Sequence, residues 1–200
     1  MIEYIKGKLI DLTPTEIVGE TAGGVAYKCL MSVQSYSAYH EQSATEVTVY
    51  IHHYLREDDE QYFGFFSKDE RSLFQLLISA SGVGAATARI MLSSLTTDEL
   101  RTAISSEDVN RIKVVKGIGV KTAQRIIVDL KDKVIKGGGA DTSSATLIAV
   151  NNSQVVDEAS AALVMLGFAK TAVMKAISAV MKTHPSAKTE EIIKLALQCL

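Results

Sequence analysis

The chain has 200 residues, 47% hydrophobic and 22% charged, with a formal net charge of -2. That is a soluble globular composition, with room for one large domain or two or three small ones. No uncharged apolar run is long enough to span a bilayer, and the start, "MIEYIKGKLIDL", alternates and carries acidic residues where a secretory leader is continuously apolar. Two cysteines far apart, Cys29 and Cys199, make no disulfide framework, and no Cys/His cluster has metal-ligand spacing. A reduced cytoplasmic protein without membrane or metal is the expectation. The average charge hides a gradient. Residues 1–66 hold 4 Lys/Arg and 10 Asp/Glu, residues 67–136 hold 12 and 8, and residues 137–200 hold 5 and 5. A polyanion contact therefore belongs to the middle third.

The first segment reads as strands. "EYIKGKLIDL" alternates and stops before Pro14. "VAYKCLMSV" (Val25–Val33) and "TEVTVYIHHYL" (Thr45–Leu55) are strand-like, with Val47, Val49 and Ile51 on one face, and "QYFGFF" (Gln61–Phe66) closes the set. Gly23-Gly24 signals a hairpin, and Gly7 inside a strand signals a bend or bulge. About five short strands fit a small closed barrel.

The period then changes from two to 3.6. Ser67 with Glu70 is a capping box ahead of "SLFQLLI", in a helix ending near Ala80. Thr96 with Glu99 repeats the device, and Ser105 with Asp108 is a weaker version of it. The longest helix is expected from about Val120 to Lys136, so residues 67–136 read as five short helices. "GGGADTSSATLIAVNNS" (Gly137–Ser153) has linker composition. Three helical runs follow, about Val155–Leu166, Ala169–Lys182 and Thr189–Leu200, with Thr189 capping the last.

"SGVGAATARIM" (Ser81–Met91) and "KGIGVKTAQRI" (Lys116–Ile126) are the same turn built twice, 35 residues apart, with Thr-Ala at one offset, Thr87-Ala88 and Thr122-Ala123. In each, the glycines (Gly82 and Gly84; Gly117 and Gly119) take backbone angles closed to other residues, and Val83 or Ile118 plugs the crevice between helices. The N–H groups of the turn and of the following helix then point outward and form an anion site. Lys121 and Arg125 lie one turn apart behind the second copy. The P-loop reading fails, because no strand precedes and no Gly-Lys-Ser/Thr ending follows. Two rigid anion sites suit a duplex backbone, and backbone donors read no base, so specificity would come from DNA shape.

At this point the chain resembles a known family over its whole length. "MIEYIKGKL", "GGVAY" (Gly23–Tyr27), "REDD" (Arg56–Asp59), "YFGF" (Tyr62–Phe65) followed by "KDERSLFQLLI", the two glycine turns, "KTAQRIIVDLKDK" (Lys121–Lys133) and "ALVMLGF" (Ala162–Phe168) are similar to the RuvA family of bacterial branch-migration proteins. The resemblance implies a multi-domain chain: an OB-fold five-stranded β-barrel (1–66), a tandem helix-hairpin-helix domain (67–136), a flexible linker (137–153) and a three-helix, UBA-like domain (154–200). It implies a non-catalytic subunit without cofactor. A homotetramer, or two of them, holds a four-way Holliday junction open and square in recombination and DNA repair. The implied phosphate contacts are Gly82, Val83, Gly84, Ala85, Lys116, Gly117, Ile118, Gly119, Val120, Lys121, Thr122 and Arg125. Glu57, Asp58 and Asp59 match an acidic pin at the crossover, where their charge repels phosphates. The third domain would bind a hexameric RuvB-like ATPase through apolar residues around its first break, Leu163, Leu166, Phe168 and Met174, and a RuvC-like resolvase would join the complex. The chain departs from the family pattern at Lys116, usually proline, at Val120, often basic, at Ala85-Ala86, commonly Pro-Lys, and at Ala26, often glycine.

No catalytic constellation stands out. Glu57, Asp58 and Asp59 are consecutive in a loop, which is poor geometry for a two-metal nuclease. His40, His52, His53 and His184 read as surface or packing residues. The rivals are a helix-hairpin-helix DNA repair enzyme, for which Asp129 and Lys131 have no base pocket around them, and a structural or protein-interaction module with ordinary tight turns.

Overall fold

The computed structural model describes residues 2–57, 59–137, 150–184 and 187–200, in two compact units, Met1–Ala140 and Asp141–Leu200. The first opens with a closed barrel of strands β1 (Tyr4–Thr13), β2 (Glu16–Glu20), β3 (Ala26–Leu30), β4 (Glu46–Leu55) and β5 (Glu60–Phe65), in the order β1-β2-β3-β5-β4. Closure leaves no sheet edge to pair with another chain. Val47, Val49 and Ile51 all point inward, as their alternation requires, and pack with Ile5, Ile17 and Cys29. Burial pushes the Cys29 thiol up to about 12, so it packs as a small hydrophobe.

Two expectations for the barrel need correcting, and one strand adds to them. The strand expected over Val25–Val33 stops at Leu30, because Ser32 caps a helix, α1 (Val33–Gln42), by accepting the N–H of Ser35 at 3.0 Å. The stretch "EIVGE" forms β2, where the alternation had shown no separate strand. The β1 register shifts between Leu9 and Asp11 rather than at Gly7. Gly7 instead permits a close approach. A Cβ there would lie 2.0 Å from the Glu20 carbonyl oxygen, so only glycine lets the strands cross so closely. Gly24, at φ 78°, closes the β2–β3 hairpin as expected.

Five helices follow in the same unit: α2 (Lys68–Ile78), α3 (Ala85–Ser94), α4 (Thr97–Ser105), α5 (Val109–Ile112) and α6 (Val120–Gly137). Their buried faces form one core into which the barrel contributes Phe63 and Phe65, with ring centroids 5.0 and 4.9 Å from Phe74 of α2. Polar ties reinforce the join. Val33 N–H donates to Ser93 Oγ at 3.1 Å, and Arg71 of α2 donates to the Glu3 carbonyl at 2.8 Å and pairs with its carboxylate at 2.5 Å. The barrel and the helices are therefore one body.

Thr96 and Glu99 form a complete capping box. Ser67 and Glu70 form only half of one: Ser67 accepts the Glu70 N–H, while the Glu70 side chain turns into the interior. There it accepts from Ser32 and, at 2.5 Å, from Ser35, whose hydroxyl in turn accepts the Phe66 N–H at 2.8 Å. Ser105 is not a cap, since Asp108 itself caps α5 through the Arg111 N–H at 2.9 Å.

The second unit packs α7 (Val150–Met165), α8 (Lys170–Thr183) and α9 (Thr189–Leu197) around Ala159, Leu163, Val173, Ile177, Val180 and Ile192. Gly167, at φ 100°, turns the chain between α7 and α8. Lys188 rather than Thr189 occupies the N-cap of α9, and the Thr189 hydroxyl donates to Glu158 of α7 at 3.1 Å. The stretch expected as a linker begins and ends in helix, with Gly137 in α6 and Val150 in α7; residues 138–149 lie outside the described residues.

Candidate nucleic-acid interface

The two glycine turns match in their chemistry. Val83 N–H bonds the Ala80 carbonyl at 3.2 Å, and Ile118 N–H bonds the Val115 carbonyl at 3.1 Å. Gly82 has φ 87° and Gly117 has φ 90°, the left-handed region that favours glycine. Val83 and Ile118 are each 6% exposed, seated in the helical core as plugs. The helices then begin alike, with Ala88 N–H on the Gly84 carbonyl and Ala123 N–H on the Gly119 carbonyl, both at 2.9 Å. The second glycine of each pair departs from expectation. Gly84 is extended, at φ -88°, and neither Gly84 nor Gly119 is in the left-handed region. A Cβ on either would meet nothing within 4 Å, so their backbone conformation does not demand glycine.

Helix N-termini give these glycines a meaning. Ser32, Ser67, Thr96 and Asp108 cap α1, α2, α4 and α5 with their own side-chain oxygens. Among the described residues of this unit, only α3 and α6 start from a glycine, which supplies no side-chain acceptor. The first N–H groups of such helices have neither an intrahelical nor a side-chain cap partner, and the helix dipole favours negative charge there. A bare Cα at that point leaves the backbone open to close approach.

The sequence-expected residues divide accordingly. Gly82, Gly84, Gly117, Gly119, Lys116, Val120, Lys121 and Arg125 are exposed around the turns, Thr122 is half-buried, and Val83, Ala85 and Ile118 are buried beneath them. No ion pair among the described residues engages Lys116, Lys121 or Arg125, whereas Arg71, Arg101, Arg111 and Lys131 are held by Glu3, Asp69, Glu99 and Glu107. The Lys131 partner holds the Glu107 carboxyl below its ordinary range. Three cations at the second turn are thus outside these ion pairs, as are Lys6, Lys8 and Lys68 elsewhere in the unit.

Glu57 and Asp59 are exposed at the tip of the β4–β5 hairpin; Asp58 lies outside the described residues. The Arg56 N–H donates to the Asp59 carbonyl at 2.8 Å, and Gln61 donates to the Asp59 carboxylate at 2.7 Å. The hairpin stem is aromatic. His53 stacks on Tyr62 with centroids 4.8 Å apart, and its Nε2 lies 2.9 Å from Glu60. His52 faces the other way, onto Phe74 and Gln75, and burial lowers its pKa. Both histidines are packing residues. His40 packs beside Tyr36, and His184 is exposed with Nδ1 2.9 Å from the Thr183 hydroxyl. Among the described residues no group of three or more His, Cys, Asp or Glu is placed to hold a metal ion, and no helix is long and apolar enough to cross a membrane.

At the α7–α8 turn, Leu163 is fully buried and belongs to the core, so it cannot meet a partner. Phe168 is half-buried against that core. Leu166 and Met174 are exposed, joined by Met165, 88% exposed, and Val164. Sequence reasoning passed over Val164 and Met165. The signal was present: "LVML" is four consecutive apolar residues, and one helix stripe cannot bury them all.

Three family descriptions match the chain: "RuvA N terminal domain" over residues 1–64, "SAM-like Helix-hairpin-helix tandem" over 74–132 and "RuvA, C-terminal domain" over 154–200. Relatives described as "Holliday junction branch migration complex subunit RuvA" match along the full length of both chains. They include those of Bacteroides fragilis at 47% identity, Parabacteroides distasonis at 48% and Flavobacterium psychrophilum at 42%. With its barrel, paired hairpins and terminal three-helix unit each accounted for, the chain belongs to the RuvA family of Holliday junction branch migration complex subunits.

Proposed function

We propose that this protein is a non-catalytic, cytoplasmic DNA-binding subunit of a branch migration complex. Four copies hold a Holliday junction open and square, each gripping one arm through phosphates at its two glycine turns. The observation that carries this is the pair of equivalent turns whose helices alone, among those described in the first unit, lack a side-chain cap. One unit offers two anion sites held in one rigid body, which suits one arm, and a four-armed ligand calls for closed four-fold symmetry. The acidic tip of the β4–β5 hairpin then converges at the crossover, where Glu57, Asp58 and Asp59 repel the backbone and exclude ordinary duplex. Net negative charge in the barrel thereby serves junction selectivity.

The three-helix unit recruits the hexameric RuvB-like motor through the exposed apolar surface of Leu166, Met174, Met165 and the half-buried Phe168. A RuvC-like resolvase acts in the same assembly. Light scattering during titration of a four-way junction tests the reading. Four, or eight, protein chains per junction are expected, and a monomer on the junction at micromolar concentration contradicts it.

A further inference from the structure

The two turns differ in the charge that serves them. Behind the second, α6 carries Lys121 and Arg125, both exposed. Behind the first, α3 begins Ala85-Ala86-Thr87, and its one cation, Arg89, reaches toward the Thr15 carbonyl of the barrel at 3.5 Å. The first site has donors but no cation from its own helix. What stands beside it comes from α6. The Asp129 carboxylate accepts the Ser81 N–H at 3.0 Å, and Lys133 Nζ lies 3.4 Å from the Ser79 hydroxyl. Ser79 and Ser81 lead directly into Gly82.

The repeat offset of 35 residues shows why the second helix can do this. It maps Ala85–Ser94 of α3 onto Val120–Asp129, so α6 continues for two further turns that have no counterpart in the first copy. Lys133 falls in that extension, one turn beyond Asp129, and extends along the same helix face. The Asp129 contact also removes the Ser81 N–H from the donors open to a phosphate, and places a carboxylate where an anion would dock. A cation one turn on offsets that charge. Hence we infer that α6 serves both hairpins: its N-terminus binds phosphate at the second, Asp129 positions the first turn, and Lys133 supplies the cation that the first turn lacks.

This rests on the junction-binding reading, and the test separates the two. Affinity for a four-way junction is measured from 50 to 200 mM salt for Lys133→Ala, Lys133→Arg, Asp129→Ala, Asp129→Asn and, as reference, Lys121→Ala. Lys133→Ala is expected to weaken binding roughly three- to tenfold and to make the log–log salt slope shallower by about 0.9 for each phosphate no longer neutralised. Lys133→Arg should restore both, because the charge is what acts. Asp129→Ala should weaken binding by releasing the Ser81 turn, while Asp129→Asn, which keeps an acceptor oxygen for Ser81 and removes the charge that opposes a phosphate, should bind at least as tightly as the wild type. If Lys121→Ala weakens binding while Lys133→Ala leaves affinity and slope unchanged, the inference fails and the junction reading stands. If the wild type itself does not bind the junction, both fail. Equal binding by Asp129→Ala and wild type overturns the positioning role.

Discussion

Glycine acts in two ways at the paired turns, and substitution separates them. At Gly82 and Gly117 the backbone is left-handed, so Gly82→Ala or Gly117→Ala should cost roughly 1–3 kcal/mol of stability. At Gly84 and Gly119 an alanine meets open space and ordinary angles. Those variants should unfold near the wild-type midpoint yet bind a junction more weakly, because the added methyl stands where a phosphate approaches. Denaturant melts beside binding titrations check both halves. Loss of stability at Gly84→Ala, or unchanged DNA affinity there, contradicts the assignment.

Glu70 offers a pH-dependent test. Burial raises its pKa above the ordinary value of 4.5, against the pull of the Ser32, Ser35 and Phe66 hydrogen bonds. A carboxyl raised on folding penalises the folded state as pH climbs from the ordinary value through the raised one, and imposes no penalty below both. Glu70→Gln leaves one serine hydroxyl short of an acceptor, a loss of about 1–2 kcal/mol, but it carries no charge to bury. The variant should therefore be the less stable at pH 4, with the gap narrowing toward pH 8. A gap independent of pH would mean the buried carboxyl is not raised. None of this showed in the sequence, where Ser67 and Glu70 read as a reciprocal cap. The partner serines lie 38 and 35 residues upstream, and spacing carries no sign of so distant a contact.

Among elements, the β4–β5 hairpin and the hairpin helices contrast in legibility. Val47, Val49 and Ile51 announced β4 by alternation, and Gly-x-Gly at matched offsets announced both turns. Helix α1 was hidden because its sequence, "VQSYSAYHEQ", buries little beyond Ser35 and Tyr39 and has no apolar stripe. Strand β2 was hidden because it is only five residues long and follows Pro14 closely. The acidic hairpin tip was legible in the sequence, whereas the role proposed for it depends on an assembly that no single chain displays. Glu57→Gln with Asp58→Asn removes two charges per subunit at nearly constant shape. Junction binding should tighten and preference over duplex should fall. Unchanged affinity for both ligands would reduce the tip to a solvated turn.

At the scale of the whole molecule, the division of labour proposed above follows the two compact units: the first carries both turns and the acidic hairpin tip, and the second carries the exposed Met165, Leu166 and Met174. Truncation after Gly139 should leave junction binding nearly intact and abolish stimulation of a RuvB-like ATPase on junction DNA. Retained stimulation would contradict the assignment of the second unit, and lost junction binding would mean the first is insufficient. The domain order was readable from the change of period near Ser67; the run "LVML" signalled that α7 leaves apolar residues exposed, and only the packing shows that Leu163 is the one buried.

In the function proposed above, paired, sequence-blind phosphate sites select a DNA shape. The most direct measurement is the dissociation constant of the full chain for two four-way junctions of unrelated sequence and for linear duplexes made from the same arms, at one fixed salt concentration. Equal affinity for the two junctions and much weaker binding to either duplex are expected. Equal affinity for junction and duplex, or a strong preference between the two junctions, would contradict it.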